Sequence, residues 1–277
     1  MIVHLVDGTY ELFRHYHGLR RWTKDKMPPL GAVLGVTRTV LGMIESGATH
    51  LGVATDHVIE SFRNEVWPGY KSSAGMDPAL LAQFGPLEDV LAAMGVVVWP
   101  MVEFEADDAL ASAARIAERD PRVDMVSIWT PDKDLAQLVG GDRIVQVHRR
   151  TRKIMDAGAV RAKYGVPSAL IPDYLALVGD SADGFPGVKG IGPVNAARLL
   201  NRFGPLEDFP PGELGQERER ALLFKELATL RSQVPLFENV DQLRWRGPNE
   251  AFAEWARRLG DPALVERCQR AAESLAD

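Results

Sequence analysis

The chain has 277 residues, 46% of them hydrophobic, which allows one large or two modest domains. Its single cysteine, Cys268, excludes an internal disulfide, and its first residues lack the basic start and long apolar core of a signal peptide, so we expect a cytoplasmic protein with no membrane segment. The net charge of −6 argues against a nucleic-acid partner unless the acids are concentrated in one place.

Up to residue 160, short apolar runs alternate with amphipathic segments. Strands are predicted over 2–6, 51–55, 96–99 and 123–130, and a hairpin joins 144–147 to 154–155 across a basic turn. Helices are predicted over 9–19, 33–44 and 78–94 and from residue 105 onward, and a basic loop with Arg20, Arg21, Lys24 and Lys26 follows the first helix. Strands alternating with helices indicate an α/β fold with a mostly parallel sheet flanked by helices.

After residue 160 the pattern predicts helices only, over 157–164, 167–178, 194–203, 216–231 and 249–275. A glycine-rich turn lies between the second and third of these helices. We therefore predict two domains, an α/β domain over 1–160 and a helical region over 161–277.

Three carboxylates occur within four residues at the start of the helix that follows the third strand, in Glu105, Asp107 and Asp108. Acids at a helix N-terminus interact favourably with its dipole, so simple capping is one interpretation. One acid is enough for capping, however, and three that share a site repel one another. A hard divalent cation removes that repulsion, because such cations bind carboxylate oxygens.

Further acids lie just past the carboxyl ends of predicted strands, where open parallel sheets bind ligands. They are Asp7, Asp56, Asp132 and Asp134, and the loop after residue 178 adds Asp180 and Asp183. With Glu105, Asp107 and Asp108 they make nine acids, enough for two cations when some act through water. Without these nine charges the rest of the chain is slightly basic, so the acidity of the chain is mostly that of the predicted site.

The glycine-rich turn between the predicted helices has the pattern of a helix-hairpin-helix, with Gly187, Gly190 and Gly192 around Lys189. Glycines allow a close approach of the backbone to a phosphate, and N–H groups at the start of the next helix bind it. Such an element predicts sequence-independent binding of duplex DNA. The second interpretation is a tight turn between packed helices.

The sequence resembles the structure-specific 5′ nuclease family, which includes bacterial 5′–3′ exonucleases, the N-terminal nuclease domain of DNA polymerase I and flap endonucleases. Seven stretches carry the resemblance in the order of the family. They are Val6-Asp7-Gly8 with Phe13-Arg14, Ala54-Thr55-Asp56, Phe62-Arg63-Asn64-Glu65 with Tyr70-Lys71, Glu105-Ala106-Asp107-Asp108, Thr130-Pro131-Asp132-Lys133-Asp134-Leu135, Gly179-Asp180-Ser181-Ala182-Asp183, and Pro186-Gly187-Val188-Lys189-Gly190-Ile191-Gly192.

The resemblance implies a PIN-like nuclease core, a helical arch near residues 70–90 and a helix–three-turn–helix near 170–203. It implies that two Mg²⁺ or Mn²⁺ ions support hydrolysis of DNA near 5′ ends, nicks or flaps, with an RNA–DNA hybrid as a further substrate. The first ion would be held by Asp7, Asp56, Glu105 and Asp107, and the second by Asp108, Asp132, Asp134, Asp180 and Asp183.

The resemblance also implies that Lys71 and Arg14 contact the scissile phosphate and that Arg63 and Tyr70 contact DNA. Relatives often hold K⁺ in the helix–three-turn–helix. We expect a monomer without membrane contact, together with protein partners in replication or repair.

Three positions depart from the family pattern: Gly184 replaces a common Asn, Pro131 a common Gly or Ala, and Ala74 an Arg three residues past the arch lysine. A haloacid-dehalogenase-type phosphatase is a weaker interpretation, because Thr9 stands where its second acid belongs. Two further interpretations are a non-catalytic protein that binds branched DNA and a PIN-type ribonuclease.

Overall fold

A six-stranded sheet organises the first part of the computed structural model, which describes residues 1–23, 28–141 and 143–276. Its strands are β1 (Ile2–Asp7), β2 (His50–Asp56), β3 (Val97–Met101), β4 (Met125–Trp129), β5 (Ile144–Val147) and β6 (Ile154–Met155). The order is β3-β2-β1-β4-β5-β6, and all neighbours are parallel except β5 and β6, which form an antiparallel hairpin. The α/β fold with a mostly parallel sheet is thereby confirmed.

The helices of the described residues lie between and after the strands. They are α1 (Gly8–Thr23), α2 (Gly31–Glu45), α3 (Arg63–Val66), α4 (Pro78–Leu81), α5 (Phe84–Ala93), α6 (Ala106–Glu118), α7 (Ala157–Tyr164), α8 (Ile171–Val178), α9 (Pro193–Phe203), α10 (Arg218–Ala228), α11 (Phe252–Arg258) and α12 (Ala263–Ala276). None of these described helices is both long and apolar enough to cross a bilayer.

Each face of the sheet is covered by its own apolar core, because successive strand residues point to opposite faces. Val6 and Val53 face the core that contains α2 and α5. Val3 and Leu5 face the other core, where the alanine-rich α6 packs close to the sheet. A third core joins α8, α9 and α10. Both faces of β1 and β2 are therefore buried, and this fixes the strand ends that carry the acids.

The C-terminal segment returns to the sheet domain. The indole N–H of Trp245 donates to the backbone carbonyl of Met94, and Phe252, Leu264 and Cys268 are buried in the core beneath α2 and α5. The predicted helical region, 161–277, therefore includes a segment that packs on the first domain. The division of the chain at residue 160 stays a prediction.

Two long predicted helices are each divided into two. The segment 78–94 forms α4 and α5, whose Leu80, Phe84 and Leu87 are buried in the core, so this part of the expected arch does not stand away from the domain. The segment 249–275 forms α11 and α12, which are separated at Gly260, where φ is +74°.

The start of the predicted basic loop is helical in the structure. Arg20 and Arg21 lie in the last turn of α1, where their charge favours the helix dipole, whereas Lys24 and Lys26 lie outside the described residues.

Candidate active site

Asp7 and Asp56 are the last residues of the adjacent parallel strands β1 and β2, so their carboxylates meet at one edge of the sheet. Gly8 allows α1 to begin directly after β1, because a Cβ atom at this position would lie 2.8 Å from the backbone oxygen of Ala54. Thr130, just past β4, donates its hydroxyl to Asp7 at 2.9 Å. The backbone N–H of Ala106 donates to Asp56 at 2.7 Å.

Glu105 precedes α6 and projects into the same place. Its carboxylate accepts a hydrogen bond from Ser61 at 2.6 Å and lies 2.7 Å from the ammonium of Lys71. We call Asp7, Asp56 and Glu105 the sheet group, because each is fixed by a strand or by the residues that follow one. Every member accepts at least one hydrogen bond from a neighbouring residue.

Asp134, Asp180 and Asp183 form a second cluster, which we call the turn group because short turns carry all three. One carboxylate oxygen from each lies within 4.8 Å of the other two, and all three side chains are buried. Oδ1 of Asp134 has no hydrogen-bond partner among the described residues. Burial, together with the charges of Asp132 and Asp183, raises the pKa of Asp134 well above its ordinary value.

Lys71 joins the two groups. Its ammonium lies 2.7 Å from Glu105 and 3.2 Å from Asp183, and its backbone N–H donates to the backbone oxygen of Asp183. Burial alone would lower the pKa of Lys71, but Glu105 and Asp183 raise it well above the usual value. Lys133 makes a second contact of this kind, 2.7 Å from Asp180. The carboxylates are thus partly neutralised by side-chain cations.

Asp107 and Asp132 lie between the two groups. Burial and then the charges of Asp132 and Asp7 raise the pKa of Asp107 well above its ordinary range. Burial likewise raises the pKa of Asp7 to about 7, and the charges of Asp56 and Asp132 add to this effect. Asp132 itself is exposed. Mutual repulsion among so many acids favours proton uptake unless cations are present.

The chemistry of this donor set fits divalent cations. Carboxylate oxygens are the ligands that hard cations prefer, and the unpaired Oδ1 of Asp134 is a buried acceptor that a cation would satisfy. The raised pKa values are those of acids that lack sufficient positive charge around them. Eight of the nine predicted carboxylates take part in this arrangement.

Asp108 is the exception, and its prediction as a ligand of the second ion is wrong for this structure. Its oxygens accept two hydrogen bonds from Arg63, at 2.7 and 2.8 Å, and one each from the backbone N–H groups of Glu105 and Arg231. It is completely buried. With its acceptor positions used, Asp108 instead holds together the start of α6, α3 and the segment after α10.

The same ion pair corrects the prediction that Arg63 contacts DNA. The side chain of Arg63 is 1% exposed, and its guanidinium also donates to the backbone oxygens of Leu227 and Thr229. Tyr70 is similarly turned inward, at 5% exposure, with its hydroxyl 3.3 Å from Glu105. Neither side chain presents a DNA-facing surface as placed here.

Arg14, predicted to contact the scissile phosphate, projects from α1. It pairs with the buried carboxylate of Glu11, and one of its nitrogens lies 2.8 Å from His15. The described hydrogen bonds and ion pairs do not link Arg14 to the nine acids. The guanidinium stays partly exposed, so its predicted role remains a prediction.

The glycine-rich turn lies between α8 and α9. Gly187 has φ +71°, and a Cβ there would lie 2.4 Å from the backbone nitrogen of Gly179, so only glycine allows this close return. Lys189, Gly190 and Gly192 are exposed, as is the first turn of α9, where Val194 is 83% exposed. The predicted backbone N–H surface is therefore accessible.

Residues that were not predicted as site residues also contribute. Thr130 orients Asp7, and Lys133 neutralises Asp180. Tyr164 has a buried hydroxyl without a hydrogen-bond partner among the described residues, and burial followed by the charges of Asp132 and Asp134 raises its pKa to about 12. The sequence could have indicated a role for Lys133, since it stands between two predicted ligands. It gave no such signal for Tyr164, which follows an ordinary helical pattern.

Comparison with known proteins gives matches along most of the chain. Residues 2–165 match the family described as 5′–3′ exonuclease, N-terminal resolvase-like domain, and residues 166–251 match 5′–3′ exonuclease, C-terminal SAM fold. DNA polymerase I of Pseudomonas aeruginosa is 34% identical over 259 residues, which cover 86% of this chain and 28% of that protein. The chain spans roughly a quarter to a third of the length of such curated relatives.

The fold is also found in solved structures, of which two are examples. One is bacteriophage T5 D15 flap endonuclease in a pseudo-enzyme–product complex with DNA and metal ions, with a TM-score of 0.64, 20% identity and full coverage of both chains. The other is the catalytic core of Rad2 in complex with DNA substrate, with a TM-score of 0.61 and 15% identity over 98% of this chain and 91% of that one.

Proposed function

Because the chain belongs to the 5′–3′ exonuclease family, we propose that it hydrolyses phosphodiester bonds of DNA at 5′ ends, nicks or flap junctions with the help of divalent cations. The observation that carries this proposal is the convergence of the sheet group, the turn group, Asp107 and Asp132 at one edge of the sheet. The T5 flap endonuclease and Rad2 structures, which share the fold, contain DNA.

Two Mg²⁺ or Mn²⁺ ions fit the donor set. Asp7, Asp56, Glu105 and Asp107 would hold the first. The second would be held by Asp132, Asp134, Asp180 and Asp183. Asp108 would bind neither ion and would instead fix the backbone of Glu105 through a hydrogen bond. Bound cations would polarise a phosphate and lower the pKa of water, which is what hydrolysis of a phosphodiester requires.

Lys71 is the side-chain cation that would contact the substrate. Its ammonium is partly exposed and already contacts one carboxylate of each group. With Glu105 and Asp183 neutralised by bound cations, the ammonium would be free to contact a phosphate oxygen and to offset the charge that develops on it. Tyr70 would keep Lys71 in place through its ring, whose centroid lies 5.6 Å from the ammonium.

The exposed turn at Lys189 would hold duplex phosphates away from the cut, and its backbone carbonyls could take K⁺. The opening steps of the reaction would then be contacts to the duplex, followed by placement of the 5′ end over the acids. We further propose that the protein acts as a monomer in the cytoplasm and accepts DNA or RNA–DNA hybrid in replication or repair.

Cleavage of three 5′-labelled substrates, namely a flap, a nicked duplex and a blunt duplex, tests the function. We expect Mg²⁺-dependent cleavage that leaves a 5′-phosphate on the downstream strand. A lack of cleavage of all three with Mg²⁺ or Mn²⁺, or full cleavage in EDTA, would contradict the proposal. Binding assayed in Ca²⁺ separates an inactive DNA-binding protein from one that does not recognise DNA.

A further inference from the structure

A cavity of about 470 Å³ opens next to the acid edge, between the β5–β6 hairpin and α7. Pro131, Met155 and Ala159 supply apolar parts of its wall. None of the nine predicted carboxylates lines it in the described part of the chain. Since Pro131 directly precedes Asp132, the cavity borders the proposed site without belonging to it. Its volume suits a ligand of the size of one nucleotide, whereas a DNA duplex would not fit into it.

Gln146 is a buried polar residue among those that line this cavity. Gln146 is 1% exposed, and its amide nitrogen donates to the backbone oxygen of Asp132, so the other amide atom is the oxygen. That oxygen has no hydrogen-bond partner among the described residues. A buried acceptor without a partner carries a free-energy cost. A ligand that donates an N–H group here would remove this cost, and the amino and imino groups of nucleobases are such donors.

The rim of the cavity is positively charged. Lys153 and Lys163 both line it and are exposed, and neither forms an ion pair with a carboxylate of the described residues. The Lys163 ammonium lies 4.7 Å from the centroid of the Tyr164 ring, which keeps it close to the cavity mouth. Two ammonium groups without carboxylate partners beside an apolar pocket favour an anionic ligand with a flat apolar part.

We propose that this cavity binds one nucleoside monophosphate unit, with its base against Met155 and Ala159 and its phosphate at Lys153 and Lys163. The proposal rests on the proposed nuclease function for the origin of the ligand. Two sources share this chemistry. One is a free 5′-mononucleotide released by cleavage, and the other is an unpaired nucleotide that is still part of the DNA substrate.

The first experiment measures binding of deoxyadenosine 5′-monophosphate by calorimetry in EDTA, so that metal ions cannot bridge the phosphate to the acids. Ala159→Phe fills the cavity, and Lys163→Ala removes a rim charge from an exposed position that does not threaten folding. Arg161→Ala is the matched control, because it removes the same charge from the same helix but does not line the cavity. We expect Ala159→Phe to weaken binding at least about tenfold, Lys163→Ala about fivefold, and Arg161→Ala less than about twofold.

The second experiment compares KM for a 5′ flap with KM for a nicked duplex that has no unpaired nucleotide. If the ligand is part of the substrate, free nucleotide binds too weakly to inhibit cleavage, and Ala159→Phe raises KM for the flap about fivefold more than KM for the nick. If the ligand is the released product, added nucleotide inhibits the wild type and not Ala159→Phe. Either result supports the cavity as a nucleotide site and identifies the source.

The proposal is overturned if Ala159→Phe and Lys163→Ala behave like Arg161→Ala in both experiments, or if inorganic phosphate or deoxyadenosine binds as tightly as the nucleotide. These results leave the nuclease function intact when the wild type still cleaves DNA. If the wild type cleaves no DNA, the nuclease proposal fails, and the binding experiment alone decides on the cavity: absence of nucleotide binding then overturns it.

Discussion

The sheet group and the turn group hold carboxylates in different ways. In the sheet group, Asp7 and Asp56 end adjacent strands, and neighbouring hydroxyl or backbone N–H groups donate to each member. In the turn group, Asp134 has an oxygen without a partner among the described residues, and Asp180 depends on Lys133 for charge compensation. Folding alone therefore supplies a hydrogen-bond donor to each member of the sheet group, whereas one buried oxygen of the turn group has no donor among the described residues.

This difference assigns separate tasks to the two groups. Carboxylates that are already hydrogen-bonded keep their geometry with or without metal, so the sheet group provides a fixed reference for the substrate. Asp134, whose Oδ1 has no donor among the described residues, gains most from a cation, so the turn group couples metal binding to local stability. Lys71 contacts one carboxylate of each group.

The largest expected effect is on the rate of cleavage. Asp107 lies between the two groups and is surrounded by the charges of Asp7, Asp132 and Asp134. Asp107→Asn keeps the shape but removes a negative charge, so we expect the single-turnover rate to fall by roughly three orders of magnitude or more. Binding of a flap in Ca²⁺ should change little. A variant that keeps more than about a tenth of the wild-type rate would show that Asp107 does not serve the metals.

The next effect is on stability and differs between two aspartates. Asp108→Ala leaves the guanidinium of Arg63 buried without its partner, which typically costs about 3–5 kcal/mol. Asp134→Ala removes a buried oxygen that lacks a partner and a charge that repels its neighbours, so in EDTA it should cause no such loss. Urea unfolding of both variants without metal measures the difference.

Addition of Mg²⁺ extends the same comparison. The wild type should be stabilised by the ion, Asp108→Ala should keep a similar increment, and Asp134→Ala should lose most of it. Equal destabilisation of the two variants in EDTA would contradict the assignment of Asp108 to structure and of Asp134 to metal.

The sequence predicts the sheet and the positions of most acids, and the reasons are local. Apolar runs mark β1, β2 and β4 because both faces of these strands are buried. An acid at the end of such a run must therefore lie at the carboxyl end of the sheet. Asp108 could not be separated from its neighbours in this way. Its partner Arg63 is 45 positions upstream, and the carbonyls that help to bury Arg63 are 164 and 166 positions away from it.

Two further features depend on contacts that a local pattern does not reveal. Gln146 follows an ordinary buried-strand pattern. Its unpartnered amide oxygen suggests a ligand site only because the residue also lines the cavity. The helices α11 and α12 have the periodicity of any amphipathic helix, so their return to the sheet domain near Trp245 was not predictable.

A smaller effect separates the exposed turn from both acid groups. Lys189 is exposed and takes no part in the proposed chemistry, so Lys189→Ala should weaken duplex binding equally for all sequences and lower the slope of log affinity against log salt by about one. The cleavage rate at saturating DNA should stay close to that of the wild type. Fluorescence anisotropy across a salt series provides the slope, and an unchanged slope would mean that the turn is only structural.

The smallest effect concerns the segment just past Lys71, at the start of the expected arch. Between Lys71 and Arg115 the sequence contains no lysine or arginine, whereas Asp77, Glu88 and Asp89 lie in the first half of this interval. Ser73 is anchored by two hydrogen bonds to Glu60, and Ala74 beside it is exposed. A groove that follows a single-stranded phosphate backbone needs positive charge, so this protein should hold free 5′ flaps weakly and obtain its affinity from the duplex.

Ala74→Arg tests this expectation, because it adds a cation at an exposed position on an anchored loop. Cleavage of a flap should rise about two- to fivefold relative to cleavage of a nicked duplex, and the gain should shrink as salt screens the added charge. Ala74→Gln is the control for side-chain size without charge. The measurement is the flap-to-nick ratio of kcat/KM across a salt series for the wild type and both variants. If the wild type already strongly prefers long flaps and Ala74→Arg leaves the ratio unchanged, the 5′ strand is held by groups other than this segment.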